Sequence, residues 1–236
     1  MKRVAVLAVQ GAFVEHERAL GKVGCACVEL RQASDLDQPF DALVLPGGES
    51  TAQAKMIREL GMLAGLRDRI ASGMPVLGTC AGLILLARTV EEGVPAPGNP
   101  QAPVAAGAVA PGVIGTLGVT IQRNAYGRQL GSFRVVAPCR GLAGHDVACA
   151  FDNAGIEEEA CGVGDAAATN SGLTAISIPM TFIRAPYIKE AHAGTEVLAE
   201  VEGRIVAVRS GNQIGVAFHP ELDDDLHIHS LLADLA

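Results

Sequence analysis

The stretch Pro75-Val76-Leu77-Gly78-Thr79-Cys80-Ala81-Gly82-Leu83-Ile84-Leu85-Leu86-Ala87 decides how the rest of the chain is read. A short apolar run ends at Gly78, and an apolar run of helical composition begins just after Gly82, so the segment passes from strand to helix through a very short turn. Gly-x-Cys-x-Gly spacing suits such a turn. The central residue is held in strained backbone geometry, and glycine on either side leaves room for the close approach. The turn would lift the Cys80 sulfur clear of the sheet and set it over the N-terminus of the following helix. The helix dipole there favours the thiolate, which is the nucleophilic form. The Ala81 N–H would be left to face a developing oxyanion. A buried cysteine packed as a small hydrophobe at a strand end accounts for the same residues, so the decision rests on the remainder of the chain.

Upstream, residues 4–9 form a continuous apolar run, the pattern of a parallel strand covered on both faces. Gln10-Gly11-Ala12 makes a turn, residues 13–23 read as a helix, and residues 25–30 and 42–45 as strands, the last stopped by Pro46-Gly47-Gly48. Ser50 as N-cap with Gln53 three residues on fits a capping box, and predicts a helix to about residue 60 followed by a second to residue 70. Strands alternating with helices at this spacing predict an α/β fold, a single doubly wound and mostly parallel sheet flanked by helices. Ligand sites in such sheets lie outside the carboxyl ends of the strands. Gln10, Gly47-Gly48 and Cys80 all fall at such ends.

Downstream the pattern is less regular. Residues 91–115 are rich in Pro, Ala and Gly and read as a surface loop, and residues 119–122 and 133–136 as strands. Residues 139–174, with the acidic cluster Glu157-Glu158-Glu159, read as a surface insertion. A strand over 180–184 follows, then a hairpin of 196–201 and 204–208 turning at Glu202-Gly203, a last strand over 214–218 and a closing helix over 226–235. These later strands add a small antiparallel extension. Residues 1–236 are thus expected to form a single domain carrying surface insertions at about 91–115 and 139–174.

Bulk properties narrow the function. Residues are 49% hydrophobic with no tryptophan, so the core must be built from Ala, Val, Leu and Ile. A formal charge of −8 argues against a nucleic-acid binder, which normally carries a basic face. The six cysteines, at 25, 27, 80, 139, 149 and 161, lack Cys-x-x-Cys pairing, which argues against zinc, and a chain with an ample core needs no disulfides. Val4 to Val9 is too short for a signal peptide and leads into Glu15-His16-Glu17-Arg18 without a cleavage site, and no stretch has the length of a membrane span. A soluble, cytoplasmic protein is expected.

The last strand delivers His219-Pro220-Glu221. Pro220 biases His219 toward an extended backbone, in which residues i and i+2 point to the same side. The imidazole and the carboxylate would then be aimed together, and a carboxylate beside a histidine fixes its tautomer and stabilises the imidazolium. An isolated match would be a surface turn. Its place after an apolar strand, in a chain with a cysteine elbow, makes Cys80, His219 and Glu221 the candidate nucleophile, base and orienter.

Six blocks carry a resemblance: Gln10-Gly11-Ala12, Gly47-Gly48-Glu49-Ser50-Thr51, Gly78-Thr79-Cys80-Ala81-Gly82-Leu83-Ile84, Arg123-Asn124-Ala125-Tyr126-Gly127-Arg128-Gln129, Phe182-Ile183-Arg184-Ala185-Pro186 and Phe218-His219-Pro220-Glu221-Leu222. In this order they resemble the class I glutamine amidotransferases, and among them the glutaminase subunits of pyridoxal 5′-phosphate synthase. The resemblance runs from the first strand to the last helix and implies a flavodoxin-like sheet. It further implies that Cys80 attacks the carboxamide of L-glutamine, giving a glutamyl thioester and ammonia. His219 would move the proton and Glu221 would orient it. Gly47, Gly48, Glu49, Arg123, Ile183 and Arg184 would bind glutamine, and Ala81 with the peptide at Gln10-Gly11 would meet the oxyanion. The implied partner is a (β/α)8-barrel synthase subunit that receives the ammonia, and no cofactor or metal is implied.

Asp223-Asp224-Asp225 with His227 and His229 suits a helix N-terminus better than a metal site, since alternating histidines point apart on a helix. Glu15, His16 and Glu17 read as the solvated face of the first helix, and the other five cysteines as packing or surface thiols. An amidotransferase of another pathway would lack the blocks at 123–129 and 182–186. A retained structural subunit would have no need of all three reactive residues, and a DJ-1/protease-like hydrolase would lack His-Pro-Glu after its final strand.

Overall fold

Apolar runs with no polar face settle where both faces of a strand are covered. The computed structural model describes residues 1–91, 109–111, 113–123, 132–142 and 175–236. Along the first half run β1 (Arg3–Leu7), α1 (Phe13–Lys22), β2 (Ala26–Leu30), β3 (Ala42–Leu45), α2 (Ser50–Glu59), α3 (Leu63–Ala71), β4 (Val76–Thr79), α4 (Ala81–Leu86) and β5 (Ala87–Glu91). The second half adds β6 (Val109–Pro111), β7 (Leu117–Gln122), β8 (Phe133–Arg140), β9 (Ala175–Phe182), β10 (Tyr187–Ala191), β11 (Glu196–Val201), β12 (Arg204–Ser210), β13 (Gln213–Val216) and α5 (His227–Leu235).

The main sheet has the order β2-β1-β3-β4-β13-β12-β10-β7-β5-β6, with β11 paired to β12. The block β2-β1-β3-β4-β13 is parallel throughout. Beyond β13 the pairing turns mainly antiparallel, although β5 and β7 run parallel. A separate antiparallel ribbon joins β8 to β9. β1 lies between β2 and β3, so the chain winds one way and then the other. Right-handed crossovers then put α1 and α2 on opposite faces: α1 packs with α5, and α2 with α4. The expected doubly wound α/β sheet is present, with its crevice where the order reverses, at the carboxyl ends of β1 and β3.

Val4 to Leu7 and all of β3 are fully buried, as are Phe182 and Phe218. The Phe182 ring stacks on Phe133 at 4.6 Å and meets Phe218 edge-on at 5.9 Å, which seats the β8–β9 ribbon against the end of β13.

Local readings are corrected at several places. Glu91 ends β5, and Val109–Pro111 pairs with it as an edge strand, so the region read as a loop over 91–115 is partly sheet. A three-residue edge strand ending in proline leaves no periodic signal. Cys139 and Arg140 complete β8, and Cys139 and Leu142 are fully buried, which moves the start of the expected insertion beyond them. Residues 113–115 are described too, with Ile114 buried, and apart from these and Gly141 the rest of both stretches, Glu157-Glu158-Glu159 included, lies outside the described residues.

The strand expected over 180–184 begins at Ala175 and stops at Phe182, because Arg184 takes the left-handed φ of 47°. β10, which carries the polar pair Lys189-Glu190, escaped the sequence reading. The cap of α2 is Glu49, not Ser50: its carboxylate accepts from the N–H groups of Thr51 and Ala52 at 2.9 and 2.6 Å. The hairpin of β11 and β12 turns as expected, with Glu202 and Gly203 at φ 51° and 72°, the signature of a type I′ turn. No helix of the described residues is long and apolar enough to cross a membrane.

Candidate active site

Four strand ends meet at the site, those of β1, β3, β4 and β13. β4 and β13 are in register, Thr79 beside Val216, so the residues that follow them emerge side by side. Cys80 leaves β4 at φ 46° and ψ −96°, a left-handed conformation rare for a side-chain-bearing residue, while its N–H donates to Val216 O at 2.9 Å. The glycines around it serve close approach, as the motif predicts. A Cβ on Gly82 would collide with the Leu45 carbonyl, and one on Gly78 with Leu86 and Gly82. α4 is therefore pressed onto β3. Ala81 opens α4, and its N–H has no intrahelical acceptor.

His219 follows β13, and its N–H donates to Thr181 O of β9 at 2.8 Å. Its Nδ1–H donates to Glu221 Oε1 at 2.7 Å, and Cys80 is near enough to act electrostatically on the ring. The expected pairing of residues i and i+2 is present, but its backbone reason is different. Residues Pro220–Leu222 form a 3-10 turn, and it is this turn that folds the carboxylate back onto the imidazole. Burial by itself lowers the His219 pKa, but the interactions with Cys80 and Glu221 and their negative charge prevail and raise it to about 10. Imidazolium beside sulfur is thereby favoured, and this arrangement can hold a reactive thiolate and return a proton to a leaving amine. The ring of His219 packs on Gly47, where a Cβ would strike it.

The predicted binding residues sort into linked groups. Gln10 Oε1 accepts the Glu49 N–H at 2.9 Å, and Ala12 N–H donates to Gly47 O at 3.1 Å. Gly11, at φ 102°, leaves no space for a side chain against Gly47. Gln53, buried, ties the two turns further: its Nε2 donates to Gln10 O and Pro46 O at 3.0 and 3.1 Å. Arg123 donates to Thr51 Oγ1 at 3.1 Å and lies 3.8 Å from Glu49 Oε1. Ile183 and Arg184 are exposed just after Thr181, the residue whose carbonyl holds His219. The segment 124–129 lies outside the described residues.

Residues 6–165 and 165–234 match the model of the SNO glutamine amidotransferase family. The chain belongs to that family. It is 45% identical over 232 residues to pyridoxal 5′-phosphate synthase subunit PdxT of Desulfitobacterium hafniense, covering 98% of this chain and 92% of the relative. With the same-named protein of Methanocorpusculum labreanum it shares 41% identity over 233 residues, 99% of this chain and 97% of that one. A solved glutamine amidotransferase superposes with a TM-score of 0.71 at 33% identity, covering 98% and 97% of the two chains. PurLQS from Thermotoga maritima shares the fold, with a TM-score of 0.57 at 17% identity.

This SNO-family amidotransferase also contains site neighbours that the sequence reading misplaced. His16 is fully buried instead of solvated. Its Nε2 lies 3.2 Å from Thr79 Oγ1 and 3.3 Å from Glu221 Oε2, and its Nδ1 lies 3.0 Å from His229 Nε2. The signal was present: His16, Ala19 and Leu20 share one buried helical face, and Glu15 and Glu17 flank it. His227 and His229 do point apart, the first pairing with Asp225 at 2.9 Å and the second facing inward. Burial raises the thiol pKa of Cys25, and with smaller electrostatic help lifts Cys27 to about 11 and Cys139 to about 12, which leaves these thiols inert. Cys149 and Cys161 lie outside the described residues.

Proposed function

We propose that this chain is a single-domain, cytoplasmic glutaminase that feeds a pyridoxal 5′-phosphate synthase, with Cys80, His219 and Glu221 as its catalytic triad. The observation that carries the assignment is Cys80 on a left-handed elbow at the end of β4, beside the end of β13, where His219 has its Nδ1–H held 2.7 Å from Glu221 Oε1. The Cys80 thiolate attacks the carboxamide carbon of L-glutamine. The tetrahedral oxyanion is met by the Ala81 N–H and a peptide of the Gln10-Gly11 turn. As the C–N bond breaks, His219 gives its proton to the nitrogen, and ammonia leaves behind a glutamyl thioester. His219 then takes a proton from water, which cleaves the thioester to L-glutamate and restores the thiol. Gly47, Gly48, Glu49, Arg123, Ile183 and Arg184 line the substrate side.

The ammonia passes to a (β/α)8-barrel synthase subunit that builds the pyridoxal ring for vitamin B6 biosynthesis. Curated relatives named as PdxT subunits over nearly the whole chain support this reading. The test is ammonia release from glutamine by the purified protein, with and without the synthase subunit. Release that rises on adding the subunit and vanishes in Cys80→Ala is the expected result. Release that survives Cys80→Ala would refute the nucleophile.

A further inference from the structure

We propose that His16 is a positioning residue for this triad: its Nε2–H holds the second oxygen of Glu221, and His229 behind it selects the tautomer that makes this possible. The proposal rests on the triad reading above and adds to it a residue from α1, an element far from the triad in sequence.

Glu221 uses Oε1 on His219 at 2.7 Å. Its Oε2 is fully buried and makes no aligned hydrogen bond among the described residues, yet His16 Nε2 stands 3.3 Å away. A buried carboxylate oxygen without a donor is costly, so the tautomer of His16 matters. Two arrangements are open to the His16–His229 pair, whose nitrogens lie 3.0 Å apart. In the first, His229 Nε2–H donates to His16 Nδ1, and His16 Nε2–H is shared between Glu221 Oε2 and Thr79 Oγ1. His229 Nδ1, which has no partner among the described residues, is then a bare lone pair. In the second, His16 Nδ1–H donates to His229. That leaves a buried N–H on His229 Nδ1 without an acceptor, and turns the Nε2 lone pair of His16 toward a carboxylate. The second strands a donor and opposes two lone pairs, so the first prevails.

The donors therefore converge on Glu221: His229 donates to His16, His16 to Glu221 Oε2, and His219 to Glu221 Oε1. Burial, then His229 and His219, push the His16 pKa well below its ordinary value, and the ring is neutral. A neutral donor can pin the carboxylate without adding a cation that would compete with the His219 imidazolium. Through Thr79, the same ring also touches the strand residue that precedes the nucleophile.

Histidine side-chain 15N NMR of the unsubstituted protein reads the tautomer without any mutation. Protonated Nε2 and bare Nδ1 on His16 are expected, and the reverse overturns the proposal. Steady-state kinetics with the synthase subunit present then compare two variants. His16→Leu should lower kcat roughly 10- to 100-fold with KM for glutamine little changed, the scale seen when a supporting hydrogen bond behind an active group is removed. His16→Gln, whose carboxamide N–H can replace Nε2–H, should recover most of that loss. Folded His16→Leu with full kcat, or folded His16→Gln as impaired as His16→Leu, overturns the role. If neither variant folds, the NMR result decides. Cys80→Ala in the same assay separates the two readings. Activity there removes the triad and the His16 role with it, whereas a silent Cys80→Ala beside an unimpaired His16→Leu removes the His16 role alone.

Discussion

Cys80 holds a backbone conformation that costs a side-chain-bearing residue about 1–3 kcal/mol. Its neighbours enforce that conformation: α4 is pressed onto Leu45 through Gly82, and the Cys80 N–H is fixed on Val216 O. Cys80→Gly should therefore melt later than Cys80→Ala, by about 1 kcal/mol in stability, while both abolish glutaminase activity. Equal melting midpoints would mean that the turn carries no strain. Glu221→Gln keeps the size of the side chain but loses the charge that stabilises the imidazolium. Loss of kcat by roughly 100-fold or more is expected, read in the same ammonia assay.

Among the elements, α2 shows how one side chain serves structure and site together. Glu49 caps the helix through Thr51 and Ala52 and also lies 3.8 Å from Arg123. Burial raises its pKa, but the two backbone N–H groups and Arg123 outweigh this and hold it below the usual carboxylate value. Glu49→Ala should cost about 1 kcal/mol in thermal or denaturant unfolding, the ordinary value of a lost cap. The hairpin of β11 and β12 offers the opposite change. Glu202 sits at φ 51° in a turn that favours asparagine or glycine, so Glu202→Asn should add a few tenths of a kcal/mol without altering glutaminase activity. A lower unfolding midpoint for that variant would count against the turn assignment.

For the whole molecule, two fully buried neutral histidines set an acid limit. Burial lowers His229 to about 4, and burial with the neighbouring His229 and His219 lowers His16 well below normal. In the unfolded chain both titrate near 6.5. Between the unfolded and folded values the unfolded chain binds more protons, so the contribution of these two rings is full above about pH 6.5 and falls as pH drops toward 4. His229 alone contributes roughly 3 kcal/mol to that loss, because each tenfold difference in proton affinity between the two states is worth about 1.4 kcal/mol. Thermal midpoints measured from about pH 6.5 to pH 4 should show the decline, and His229→Leu should flatten it. An acid limb of unchanged steepness in that variant would place the protons elsewhere.

Sequence by itself determined what depends on near neighbours. Continuous apolar runs specified the parallel strands, and glycine spacing specified the elbow at Cys80. The short separation in His219-Pro220-Glu221 put an imidazole and a carboxylate within reach of each other, even though the backbone between them is a 3-10 turn and not extended. Tertiary structure decided whatever depends on which distant surfaces meet. His16 looked like a solvated residue between two glutamates until α1 was packed against β4, α5 and the turn after β13, which gave it Thr79, His229 and Glu221 as neighbours. Ser50 is the cap that local preference favours, and only the path of the chain after β3 gives the role to Glu49. β6 forms because the edge at β5 supplies its hydrogen bonds, and β10 because β7 and β12 flank it, causes that no local pattern records.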